Sequence, residues 1–174
     1  MGQAKQKKLN GAKVTWCRNC TLCCELPEIL ELEKASYKRC GSSCASSGCS
    51  IYEERPAVCR TFECRFVSAR LNDAPDRHAI PHPSDCGAYF FEVKGEKRFV
   101  VFVDPRKPEK WKESSLVLYL ESYRSFGFEI TIFDRGYKFD VARVWDDFLQ
   151  GDWVKVAQAH GEKMHDLSFR DWRA

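Results

Sequence analysis

The sequence has no long apolar run. No uninterrupted stretch approaches the roughly 18 residues of a membrane helix, and no apolar segment follows the charged start, so neither a span nor a secretory signal is expected. The start Met-Gly-Gln-Ala-Lys-Gln lacks the Ser or Thr that myristoylation expects at the sixth position. Gly-x-Gly-x-x-Gly and Walker loops are absent, so no nucleotide cradle is expected. No Cys-x-x-x-Cys-x-x-Cys occurs, which removes the radical S-adenosylmethionine signature. There are only four histidines. Charge of one sign is also scarce outside the first residues. Lys5, Lys7, Lys8 and Lys13 account for the net charge of +3; without them 24 of the 28 basic residues face 25 acidic ones. A broad basic face for nucleic acid is therefore not expected, because phosphate contacts need clustered Lys and Arg. Residues 1–13 read as a solvated, flexible basic tail.

Cysteine is what the chain has in excess. Nine of its ten cysteines (Cys17, Cys20, Cys23, Cys24, Cys40, Cys44, Cys49, Cys59 and Cys64) fall between residues 17 and 64, and only Cys86 lies outside. Such density suits a disulfide framework only in an oxidising compartment. Without a signal, the expectation is a cytoplasmic chain with reduced thiols, where clustered cysteines bind metal or do redox chemistry.

Composition changes near residue 70. Residues 14–70 carry Cys, Arg, Glu and Ser with few apolar residues. Such a segment closes a core poorly unless a metal staples it. Residues 71–86 hold three prolines and read as a connecting loop. Residues 71–174 read as a small α+β lobe. Two strands, Ala88 to Val93 and Arg98 to Val103, flank Lys94-Gly95-Glu96-Lys97, a hairpin signal. A helix is predicted from about Glu109 to Ser125, with Leu116, Tyr119, Leu120, Tyr123 and Phe126 as its core stripe. A second hairpin, Phe128 to Phe133 with Tyr137 to Val141, is followed by short helices at Trp145 to Leu149 and Trp153 to His160. The expected fold is α+β. It sets a metal-stapled, irregular Cys-rich lobe on a small antiparallel sheet with one main helix and short C-terminal helices, the two lobes forming one compact unit.

Cys17-Arg-Asn-Cys20-Thr-Leu-Cys23-Cys24 carries the chemistry. A Cys-x-x-Cys turn sets two thiolates on one side of a tight loop, suited to tetrahedral Zn²⁺ or to cluster iron. A bacterial ferredoxin run would continue to a fourth Cys where Pro27 stands. Thiolates want positive charge nearby, and Arg18, Arg39, Arg55, Arg60 and Arg65 are close in sequence. Adjacent side chains diverge, so Cys23 and Cys24 do not readily chelate one ion. Nine cysteines exceed the four that one zinc takes, leaving either two centres or one centre with spare redox thiols.

Downstream stands Gly48-Cys49-Ser-Ile-Tyr52-Glu-Glu-Arg55-Pro56-Ala-Val-Cys59-Arg60-Thr-Phe62-Glu-Cys64. Paired with the first motif, it closely resembles the YkgJ-like cysteine-cluster family over about residues 16 to 66. The resemblance implies a zinc- or iron-chelating domain, one branch of which comprises flagellin lysine N-methylases with an iron–sulfur cluster. This chain is too short for that branch's additional domain, so the methylase activity is not carried over. By the same resemblance Cys17, Cys20, Cys23, Cys24, Cys49, Cys59 and Cys64 are metal ligands. Cys40 and Cys44 are similar to an extra pair of one subgroup, at a different spacing. Tyr52 and Phe62 are expected to pack around the metal, with Arg55 and Arg60 donating to the ligands.

His78, His82 and Cys86 are four apart, but Pro81 and Pro83 oppose a helical face, so a loop is expected there rather than a metal site. The functional expectation is a cytoplasmic metal-binding protein holding an iron–sulfur cluster or zinc, in a redox or accessory role. Iron is favoured because the thiols outnumber one zinc site. The alternative is a zinc-stapled module docking a protein or RNA partner. For an enzyme, the sequence offers no evident base, nucleotide loop or substrate pocket.

Overall fold

The computed structural model describes residues 16, 20–44, 48–141 and 144–163. The basic tail 1–13, Arg18, Cys17 and the side chain of Cys44 lie outside the described residues.

The first half is short pieces joined by turns. Helix α1 (Leu22–Glu25) leads through a loop with one 3₁₀ turn (Leu30–Leu32) to a minimal hairpin, β1 (Ser43–Cys44) against β2 (Gly48–Cys49). Pro56 then sets the start of α2 (Ala57–Thr61), and Cys64 precedes α3 (Arg65–Leu71). Proline serves a helix start because its missing N–H would be unbonded there anyway. Helix α3 crosses the change in composition near residue 70 and buries Phe66, Val67 and Ala69 in the main core.

His82 caps α4 (Pro83–Cys86), after which β3 (Ala88–Glu92) and β4 (Arg98–Val103) form the expected hairpin. Helix α5 (Ser115–Ser125) crosses over to β5 (Glu129–Asp134), which turns into β6 (Tyr137–Asp140). That turn has Arg135 at φ 48° and Gly136 at φ 83°, the left-handed pair that matches a hairpin's twist. Helices α6 (Trp145–Gln150) and α7 (Trp153–His160) follow, then a short edge strand β7 (Glu162–Lys163).

Among the described residues these strands form a five-stranded sheet in the order β3-β4-β5-β6-β7. The sheet is mixed, which corrects the antiparallel expectation: β4 pairs parallel with β5. Both hairpins are as read from the sequence, but their mutual pairing runs through the α5 crossover. A parallel pair requires such a connection, and no local signal reports it. The main helix also begins later than expected. Trp111 is fully buried ahead of it, and the Ser114 hydroxyl accepts from the Leu116 N–H as a cap. Phe126, expected in the core stripe, is 68% exposed because the helix ends one residue before it.

Alternation along the strands divides the core. Phe90, Phe99, Val101, Ile130, Ile132 and Phe139 meet the helices on one face. Tyr89, Val93, Val100, Phe102 and Phe133 form the other face, covered by Leu22 and Leu26 from the Cys-rich segment. Cys20 and Cys64 thus pack against an aromatic sheet face. Among the described residues no helix is long and apolar enough to cross a membrane.

Candidate metal centre

Backbone hydrogen bonds bring distant cysteines together. After α1 the chain loops out and returns, tied by Tyr37 N–H to the Leu26 carbonyl at 2.9 Å. Lys34 holds this loop from inside. Its ammonium is buried and donates to the carbonyls of Glu25 (3.0 Å), Ala35 (2.9 Å) and Pro27. The loop returns Cys40 to α1, where its N–H donates to the Cys24 carbonyl at 3.0 Å. Ser43 N–H bonds the Cys40 carbonyl at 3.0 Å, and Ser43 pairs with Cys49 across the small hairpin. Helix α2 supplies Cys59.

Thiol charges act across these pieces of chain. A hydrogen bond from Cys23 draws the Cys24 thiol down to about 7, against burial, with Ser43, Arg55 and Lys34 adding to it. Burial pushes Cys59 up to about 11, and the charges of Cys24, Cys40 and Cys49 add to the rise while Arg55 opposes it. Cys49 is raised by burial too, again with Cys24 and Cys40 adding and Arg55 opposing. Cys24, Cys40, Cys49 and Cys59 are free thiols; the charges of Cys24 and Cys40 raise Cys49 and Cys59, Arg55 opposes that rise, and Lys34 feels Cys40 and Cys24.

Cys20 and Cys64 pack on the sheet-face core with Phe62. Burial drives the Tyr89 phenol well up, and Cys23 and Cys64 weigh on it next. Among the described residues no group of three or more His, Cys, Asp or Glu is arranged to hold a metal ion. The chemistry of the donors nonetheless fits a thiophilic metal: they are all sulfur, partly buried and accompanied by cations.

Several expectations can be placed. Tyr52 is half-buried under the Arg55 guanidinium, 3.5 Å from its ring centre, and Phe62 meets Tyr89 and Phe91 edge-on. Arg55 lies beside the thiols. Arg39 and Arg60 are exposed, and Arg65 turns away to Asp76 at 2.7 Å. His78 is exposed. Cys86 is buried apart, its thiol donating to the Ala88 carbonyl at 3.2 Å. Lys34, Ser43 and Tyr89 carried no sequence signal, since each acts through loop closure or strand pairing. Glu25, Leu26, Tyr37, Arg39, Asp104, Pro105 and Arg106 line a cleft of about 320 Å³. Its Arg106 is paired to Glu25 at 2.9 Å and to Asp104 at 2.8 Å.

No family model, curated protein or solved structure matches the chain.

Proposed function

We propose that this chain is a cytoplasmic metal-binding protein of the YkgJ-like type, whose cysteine segment chelates an iron–sulfur cluster or zinc. The carrying observation is that backbone pairing ties Cys40 to Cys24 and Ser43 to Cys49, in a segment whose thiols are accompanied by Lys34 and Arg55. Neighbouring thiols repel once ionised, and a soft cation is what turns that repulsion into binding. Cys17, Cys20, Cys23 and Cys64 remain for the same centre or for a second one. When bound, the metal supplies folding free energy to a segment poor in apolar residues and, if it is a cluster, electron transfer. The chain's own part is to hold the sulfurs on the sheet, shield them with Phe62 and balance their charge with Lys34 and Arg55.

A second reading, a zinc-stapled docking module, draws support from Leu118 and Phe126, both more than two-thirds exposed on or beside α5. Anaerobic purification with metal and sulfide analysis and a visible spectrum separates the two. A brown protein with iron and sulfide supports the cluster, and a colourless one with stoichiometric zinc supports the module. A chain that takes up neither metal after reduction refutes both.

A further inference from the structure

Tyr89 is 1% exposed, stacked on Phe102 with ring centres 5.2 Å apart and planes 9° from parallel. Its hydroxyl has no hydrogen-bond partner. Leaving a buried hydroxyl unpaired costs about 1–3 kcal/mol, and phenylalanine, which fills positions 91, 102 and 133 nearby, would pack without that cost. The oxygen therefore calls for an acceptor. Tyr89 shares one buried cluster with Leu22 and Leu26, which flank Cys23 and Cys24 in the chain, and Cys20 and Cys64 pack on the same cluster. A neutral thiol is a weak acceptor, whereas a metal-bound thiolate is a charged and stronger one. The acceptor suited to this hydroxyl thus arises when metal ionises the sulfurs.

We propose that the Tyr89 hydroxyl donates a hydrogen bond to a metal-bound thiolate of the Cys20, Cys23 and Cys64 group, making Tyr89 a positioning residue for that metal. The inference rests on the metal-binding reading above. Donors of this kind orient the ligands and tune their basicity, and losing one typically lowers metal affinity about 10-fold or more.

The test uses the full chain, stripped of metal under anaerobic conditions and titrated with Co²⁺, whose sulfur-to-cobalt charge-transfer band reports the thiolate directly. A hydrogen bond stabilises the sulfur lone pair. In Tyr89→Phe the band therefore moves to longer wavelength and Co²⁺ affinity falls about 10-fold, while the metal-free variant is as stable as the parent or more so. Phe102→Leu, which loosens the stack but keeps the hydroxyl, leaves the band in place. An unmoved band and unchanged affinity in Tyr89→Phe overturn the proposal, as does an equal shift in Phe102→Leu. If the parent chain itself shows no thiolate band with Co²⁺, the metal-binding reading fails first and this proposal falls with it.

Discussion

His82 Nε2 donates to the carbonyl of Trp16, 3.0 Å away and 66 residues earlier in the chain. The tautomer follows from the other nitrogen, because Nδ1 accepts from the Ser84 N–H at 3.3 Å. His82 is buried and edge-on to Phe66, with centroids 4.8 Å apart. The proline loop thus ends in an anchor for the residue just before Cys17, rather than in a metal ligand.

Replacing His82 by alanine leaves the Trp16 carbonyl and the start of α4 without a partner. The expected cost is about 1–3 kcal/mol of thermal stability, with metal per chain unchanged. Amide exchange should quicken at residues 20 to 24. Loss of stoichiometric metal would instead make His82 a ligand.

Asp76 fastens the stretch after α3 to α5. Its Oδ2 accepts from Arg65 at 2.7 Å, Tyr119 at 2.7 Å and Tyr123 at 2.5 Å. Burial alone raises this carboxyl. The hydroxyls of Tyr123 and Tyr119 and the Arg65 guanidinium outweigh it and hold the group below the usual carboxylate range. A depressed native acid stabilises fully above its unfolded pKa and loses that contribution as pH falls through the native one. Stability should therefore decline below about pH 4. Asp76→Asn should flatten that decline and cost about 2 kcal/mol at neutral pH. An acid limb of the same steepness in the variant would refute the assignment.

What the sequence discloses here is local. The Lys94-Gly95-Glu96-Lys97 turn, the Asp134-Arg135-Gly136 turn and the Trp145 and Trp153 helices follow from neighbouring residues, and each is found where it was read. The parallel β4–β5 pair joins segments separated by a helix, so it is decided by burial of both faces and by no short pattern. Cysteine spacing carries the expectation of metal chemistry, but not which cysteines the backbone ties together. Cys40, placed by resemblance only as an extra, bonds Cys24 through the backbone because of a loop held by Lys34. Arg60 is adjacent to Cys59 in sequence yet exposed, whereas Lys34, ten residues from Cys24, lies close enough for its charge to lower that thiol.

Lys34→Met should be among the costlier changes in the chain. Methionine matches the length but cannot donate, so three backbone acceptors lose a charged donor; about 3 kcal/mol is expected. The loss also removes a cation beside Cys24 and Cys40, so the ionised sulfurs are less well balanced and metal should dissociate faster. Thermal melts of metal-free and metal-loaded protein check both parts, and unchanged melting in both would show that the ammonium is dispensable.

Serine replacements separate ligands from bystanders. Serine is nearly isosteric with cysteine but offers a harder, more basic oxygen that matches a thiophilic metal poorly. Cys24→Ser, Cys40→Ser, Cys49→Ser and Cys59→Ser should each lower metal per chain if these four thiols are ligands as proposed. Cys86→Ser should not, since that thiol is bonded to the Ala88 carbonyl on the far side of β3's core face. Chelation of the parent protein should act like all four changes at once. On the proposed metal reading residues 20 to 64 should lose amide-exchange protection, because a segment poor in apolar residues would take folding free energy from its metal, while β3 to β6, with Phe99, Val101, Ile132 and Phe133 fully enclosed, should stay protected. Full metal in the four serine variants together with loss in Cys86→Ser would reverse the ligand assignment. Unchanged protection after verified metal removal would show that the segment folds on its own packing.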